Sequence, residues 1–245
     1  MPNSDYFYLS GDPLLVGEHG DSDYFYHSGD PVPNLGGSDY VFESGSGLGG
    51  VTAEIEITDS LGSSTGTITL FSRADTVENF YDFTNNDDFF AAQGEINDYL
   101  EVGYTTFFVF ENTNTGERSF GFVHDKAGTD NQERGGEVDM DVTNLPSGAS
   151  FAVRDDDPGN DTYSMNPPDA FIDHQWGGND TDGVAIGKFT ESELQGITVT
   201  FDVVRHTDRN GNGPPHTIRF VGDGGTTVER SYDGTNTKVN ITFGL

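Results

Sequence analysis

The feature that most constrains this chain is a phrase written three times in its first fifty residues. Ser4-Asp5-Tyr6-Phe7-Tyr8-Leu9-Ser10-Gly11-Asp12-Pro13 returns as Ser22-Asp23-Tyr24-Phe25-Tyr26-His27-Ser28-Gly29-Asp30-Pro31. It returns again, shortened, as Ser38-Asp39-Tyr40-Val41-Phe42-Glu43-Ser44-Gly45, with starts 18 and then 16 residues apart. A short period marks a unit that cannot bury its apolar face alone and must stack on a neighbour. Each copy reads as a short strand closed by a turn: the aromatic core favours extended backbone, Gly supplies positive φ, and Asp-Pro sets the bend. Alternate residues of a strand share a face. Tyr6 with Tyr8, Tyr24 with Tyr26, and Tyr40 with Phe42 therefore form one face, opposite Phe7/Leu9, Phe25/His27 and Val41/Glu43. The first face persists through the copies while the second decays. This predicts that the tyrosine face is the shared assembly contact, with the first copy most enclosed and the third most exposed. Three short strands have too little chain around them to cover two apolar faces. Cover is expected from the domain that follows or from further copies of the chain.

The texture changes after Ser44-Gly45-Ser46-Gly47-Leu48-Gly49-Gly50, the softest stretch and the expected boundary between a repeat region, 1–50, and a second domain, 51–245. Residues 51–58 alternate, with Ala53, Ile55 and Ile57 on one face and acids on the other, and 65–71 alternate again across a hairpin-like turn. Further strands are expected at 104–111, 119–124, 137–142, 150–154, 184–189, 197–205, 216–221, 227–232 and 238–243. Short helical turns are expected within 75–81 and 95–100, and at 191–194 behind a Thr190 cap. Many short strands, polar turns and little helix predict an all-β fold: a β-sandwich of jelly-roll type preceded by the short three-copy β-repeat.

Charge bounds the partners. The 245 residues hold 42 Asp and Glu against 11 Lys and Arg, a net charge of −31, interleaved with 19 Phe and 10 Tyr. A disordered acidic tail lacks those aromatics, so this is a folded chain that repels itself at low ionic strength. At about 1 M salt the Debye length is roughly 3 Å and the repulsion largely vanishes. The composition resembles that of haloarchaeal proteins: rich in Asp, poor in Lys, low in large aliphatics. Nucleic acid and anionic membranes are disfavoured as partners by the same charge. With no cysteine there is no disulfide or thiolate metal site. Met1-Pro2-Asn3-Ser4-Asp5 has neither the basic nor the apolar region of a signal peptide, and no run is long enough to span a bilayer.

No motif points to catalysis, and no cofactor is required. Asp208, Asn210 and Asn212 with Gly213 match the first half of a calcium loop, but its twelfth position is Arg219 rather than a bidentate Glu. Asp155, Asp157 and Asp161 crowd carboxylates at a strand end, and Asn179-Asp180-Thr181-Asp182-Gly183 is a lesser cluster of the same kind. These are the candidate ligands for a structural calcium or other hard cation, against the plainer reading of acidic surface loops. Gly62-Ser63-Ser64-Thr65-Gly66 fits G-x-S-x-G as a string, but the nucleophile elbow needs a following helix and a strand follows here. Trp176, the single Trp, sits in a loop-like stretch. It is expected to plug one end of the core; exposed, it would offer a sugar-stacking surface.

A partner-seeking repeat, a sandwich without a recognisable active site and high-salt composition together resemble the projecting structural proteins of haloarchaeal viruses: tail fibres, head spikes or turrets. The resemblance lies in composition and architecture. It implies a non-enzymatic protein of the virion surface, made in the host cytoplasm and built into a homo-oligomer of three or five copies. Its other partners would be virion proteins and host-surface glycans or S-layer. A capsid-cementing protein, and a carbohydrate-binding or carbohydrate-cleaving sandwich of a halophile, are the alternatives.

Overall fold

The computed structural model describes the backbone of residues 6–8, 24–26 and 40–41, and then 51–82, 92, 94–126, 135–155, 161–177, 181–208, 217–232 and 237–243. The chain divides into two units, Met1–Gly50 and Val51–Leu245.

In the first unit each copy of the repeat supplies one strand: β1 (Tyr6–Tyr8), β2 (Tyr24–Tyr26) and β3 (Tyr40–Val41). They form a parallel sheet in the order β1-β2-β3. The register sets Tyr6 opposite Tyr24 and Tyr24 opposite Tyr40, and likewise Phe7, Phe25 and Val41. Equivalent residues thus stack on one another, which is what a repeat does when its period equals one strand and its return. The side chains of this unit lie outside the described residues. So do Phe42 and the expected gradient of enclosure.

The second unit is a β-sandwich. Its strands are β4 (Thr52–Asp59), β5 (Gly62–Thr69), β6 (Phe71–Arg73), β7 (Tyr104–Asn112), β8 (Glu117–His124), β9 (Gly136–Thr143) and β10 (Ser150–Arg154). They continue with β11 (Thr162–Asn166), β12 (Asp169–Trp176), β13 (Asp182–Phe189), β14 (Thr198–Asp208), β15 (Thr217–Val221), β16 (Thr227–Ser231) and β17 (Thr237–Phe243). One sheet runs β10-β13-β8-β7-β15-β16, with β6 also pairing with β7; the other runs β11-β12-β9-β14-β17-β4-β5. The second sheet is antiparallel throughout. The first is mixed, because β6 and β15 both join β7 in parallel, β15 at its start and β6 at its end.

The two sheets bury different patterns. In the second, alternation is clean: Ala53, Ile55 and Ile57 of β4, and Val239, Ile241 and Phe243 of β17, point into the inter-sheet core while Glu54, Glu56 and Asn240 point away. The first sheet is covered on both faces, and its central strands read as unbroken apolar runs for that reason. On β7, Phe107 and Val109 face the second sheet, whereas Phe108 and Phe110 face an outer layer. That layer is the segment between β6 and β7. It folds as helix α1 (Val77–Tyr81) and a 3-10 helix (Glu95–Tyr99). Thr76 caps α1 by accepting the Asn79 amide at 3.3 Å, and the capped turn sets Phe80 against Phe71, Phe108 and Phe110 with ring centroids 5.0 to 5.5 Å apart. Burying a phenylalanine contributes about 1.5–3 kcal/mol; with few large aliphatics available, Phe fills both core layers.

The scarce cations tie the elements together. Arg73 bridges Glu95 and Asp223, Arg219 bridges Glu101 and Glu229 and lies 4.1 Å from the Tyr104 ring centroid, and Arg230 of β16 clasps Asp59 at the β4–β5 turn. Next to that clasp β16 packs so closely on β5 that a Cβ on Gly66 would stand 2.6 Å from Val228 Cγ2.

The stretch around Trp176, read from sequence as loop-like, is a strand. β12 pairs with β11 and β9, and Asn166 faces Asp169 across a tight Pro167-Pro168 link. Its inward positions are Ala170, Ile172, His174 and Trp176, all buried. The alternation is present in the sequence, but a histidine and acids among the apolar residues disguise it. The short helix α2 (Glu191–Leu194) is present as expected. Thr190 donates its backbone N–H to Glu193 Oε2 at 2.8 Å in a capping box.

Candidate functional site

Three polar features of the sandwich are candidates for function. The first is the outer face of the second sheet. Where β5, β4, β17 and β14 meet, the outward positions are hydroxyl, amide or charged side chains, and the register lines them up in rows. One row is Thr67–Glu54–Thr242–Thr198, and the next is Thr65–Glu56–Asn240–Thr200. Thr198 and Thr242 hydroxyls lie 2.8 Å apart, Thr200 donates to Asn240 Oδ1 at 2.8 Å, and Asn240 Nδ2 donates to Glu56 Oε2 at 3.1 Å. These rows border a groove of about 520 Å³.

Further along the same face the rows become ionic. Asp173 of β12, Asp139 of β9 and Arg205 of β14 are register partners. Glu137, Asp139 and Asp173 each bring a carboxylate oxygen within 4.8 Å of the others. That is a cation's geometry, and a guanidinium already serves it: Arg205 Nε donates to Asp139 at 2.8 Å, and its Nη2 pairs with Glu137. Asp173 is pushed above the usual carboxylate range by partial burial and then by Asp139 and Glu137.

The third feature is internal. At the end of the sandwich where β8 finishes and β13 begins, the core changes from phenylalanine to polar groups. Thr105, His124, His174, Trp176 and Asp182 are all buried. The His124 and Trp176 rings stack at 4.6 Å and 8°, and His124 Nδ1 lies 2.8 Å from Thr105 Oγ1. His174 packs edge-on against His124 and Tyr163, with centroids at 5.2 and 5.4 Å. Neither ring nitrogen of His174 has a hydrogen-bond partner among the described residues. Burial lowers its pKa to about 3, so it is neutral at ordinary pH and reaches no solvent with which to exchange a proton. The ring is packed as part of the core end. Trp176 plugs the core end, as the sequence predicts, and is 3 % exposed. A Cβ on Gly136, its register partner, would sit 2.4 Å from the indole.

Nearby, described residues that flank the acidic loops singled out in sequence lie together. Asp155, just after β10, and Asp182, opening β13, are fully buried. Tyr81 donates to Asp155 Oδ2 at 2.8 Å; Tyr163 donates to the Asp155 carbonyl at 2.5 Å and lies 3.2 Å from Asp161 Oδ2. Burial, then the neighbouring carboxylates, raise both phenols far above the ordinary tyrosine value. Asp155, Asp161 and Asp182 are hard oxygen donors, but among the described residues the carboxylates close enough to share one cation are Glu137, Asp139 and Asp173. Asp157, Asn210 and Asn212 lie outside the described residues, and Asp208 is described only as the last backbone position of β14. Arg219, the twelfth position of the calcium-loop match, is engaged in its ion pairs on β15. The G-x-S-x-G string lies wholly within β5, without an elbow.

The groove rows are not legible in the sequence. Alternating Thr65/Thr67 and Glu54/Glu56 are visible there, but a row exists only once strand order is known. Tyr81 carries no sequence signal, because it is one ordinary tyrosine 74 residues from Asp155, and Tyr163, eight residues away, belongs to no recognisable motif.

Fold and site together define the class as an acidic all-β sandwich with a stacked strand repeat. No protein-family model matches the chain, and no significant match to it is found among curated proteins or solved structures. Among the described residues no helix is long and apolar enough to cross a membrane.

Proposed function

We propose that this protein is a structural component of a surface projection assembled at high salt, and specifically of the virion of a halophilic virus. Residues 1–50 build the assembly and residues 51–245 are displayed. The observation that carries this reading is the in-register parallel pairing of the three copies. A parallel stack ends in open backbone edges, here β1 and β3, each paired on one side only among the described strands. Open edges accept another strand of the same kind, so a further copy of the chain can continue the stack. The first fifty residues hold eight acids and no Lys or Arg, so stacking copies brings like charges together and needs salt to screen them. The sandwich has its own core, as suits a displayed domain.

Light scattering in multimolar KCl tests this. The full chain is expected to form one defined cyclic oligomer, three or five copies being the closed arrangements favoured, and residues 51–245 alone a folded monomer. A full chain that stays monomeric in high salt, with residues 1–50 rapidly cut by protease, sinks the assembly reading.

A further inference from the structure

We infer that the groove on the outer face of the second sheet is a binding site for an uncharged or amine-bearing saccharide chain. The groove lies wholly within residues 51–245, and the inference goes beyond the assembly reading without resting on it. Three properties of the lining choose the ligand.

The first is hydrogen-bonding chemistry. Thr65, Thr67, Thr198 and Thr242 each present a hydroxyl, which both donates and accepts; Asn240 presents an amide; Glu54 and Glu56 accept only. A ligand that satisfies such a surface must itself carry closely spaced groups that donate and accept. Neighbouring hydroxyls of a sugar ring do this, and two of them can donate to one carboxylate.

The second is sign. No Lys or Arg lines the groove, and the nearest cation on this face, Lys238, pairs with Asp202 at 2.8 Å. An anionic ligand would meet two carboxylates without a counter-charge. A neutral ligand, or one carrying amines, would not.

The third is preorganisation and size. Asn240 holds Glu56 at 3.1 Å and is itself held by Thr200 at 2.8 Å, and Thr198 and Thr242 hold each other at 2.8 Å. Threonine is stiff at χ1, so little side-chain entropy is lost on binding. Strands about 4.8 Å apart make four of them span roughly 14 Å. With a volume of 520 Å³ the groove falls in the range of small-molecule sites, about 300–1,000 Å³, and suits a short oligosaccharide.

Glycan-array binding of the full chain, with neutral, amine-bearing and uronate or sulfated oligosaccharides at equal density, tests the inference. Asn240→Ala and a Glu54→Gln/Glu56→Gln pair serve as groove variants, each checked for an unchanged thermal midpoint and an unchanged mass by light scattering. The expected result is retention of at least one neutral or amine-bearing glycan, with affinity falling at least fivefold in Asn240→Ala. For an amine-bearing glycan the glutamine pair loses more. Retention of none of these glycans, retention of acidic ones alone, or retention unchanged in both variants overturns it. Because mass is read on the same samples, loss of assembly and loss of glycan binding are scored separately.

Discussion

His174 shows how one residue can set the acid sensitivity of the fold. It is 0 % exposed and its pKa falls to about 3 from burial, whereas in an unfolded chain histidine titrates near 6.5. Its folded pKa is depressed, so the unfolded state takes the proton first. The stability it contributes is complete above about pH 6.5, and is lost as pH falls from there toward about 3. At about 1.36 kcal/mol for each pH unit across that window, the loss has an upper bound near 5 kcal/mol. Chemical denaturation in 3 M KCl at pH 7.5 and pH 4.5 should show a marked loss in the parent, and a smaller one in His174→Phe. Equal losses would show that the ring is not the sensor. Gly136 and Tyr81 make sharper steric and polar tests. Gly136→Ala drives a methyl into Trp176 and is expected to cost about 1–3 kcal/mol. Tyr81→Phe removes the donor at 2.8 Å from buried Asp155, at about 1.5–3 kcal/mol.

At the scale of elements, the outer layer decides how the first sheet is written. Because α1 and the 3-10 helix cover it, β7, β8 and β13 are apolar on both faces, and the layer shares in the fold rather than decorating it. Phe80→Ala is therefore expected to destabilise by about 3–5 kcal/mol in equilibrium denaturation. Thr67→Ala, on the solvent face of β5, should stay within about 0.5 kcal/mol. The same contrast explains which elements are legible in the sequence. Strands with apolar alternation, such as β4 and β17, or with an unbroken apolar run, such as β7, can be read to within a residue or two. β12 escapes because its buried face mixes Ile172 with His174, and β11 because its alternation in Thr-Tyr-Ser-Met-Asn is of size more than polarity. The groove and the Asp155–Asp182 convergence depend on which strands are neighbours, and Asn240 lies 184 residues from its partner Glu56. No local pattern encodes such a pairing.

For the whole molecule, charge and architecture act together. A net charge of −31 opposes compaction at low salt. The thermal midpoint of residues 51–245 is expected to rise steeply from 0.1 to 1 M KCl, as the Debye length falls from about 10 to 3 Å, and more gently above that. The repeat should respond more strongly still, since it has acids and no cations and each copy sets an Asp immediately before its paired tyrosine. The most direct test is amide hydrogen exchange of the full chain in 3 M KCl across a hundredfold range of protein concentration, with mass read in parallel. The account predicts that the amides of 6–8, 24–26 and 40–41 become protected together, at the concentration where the oligomer forms. Exchange at unfolded-chain rates throughout, beside an intact sandwich of monomer mass, would contradict it.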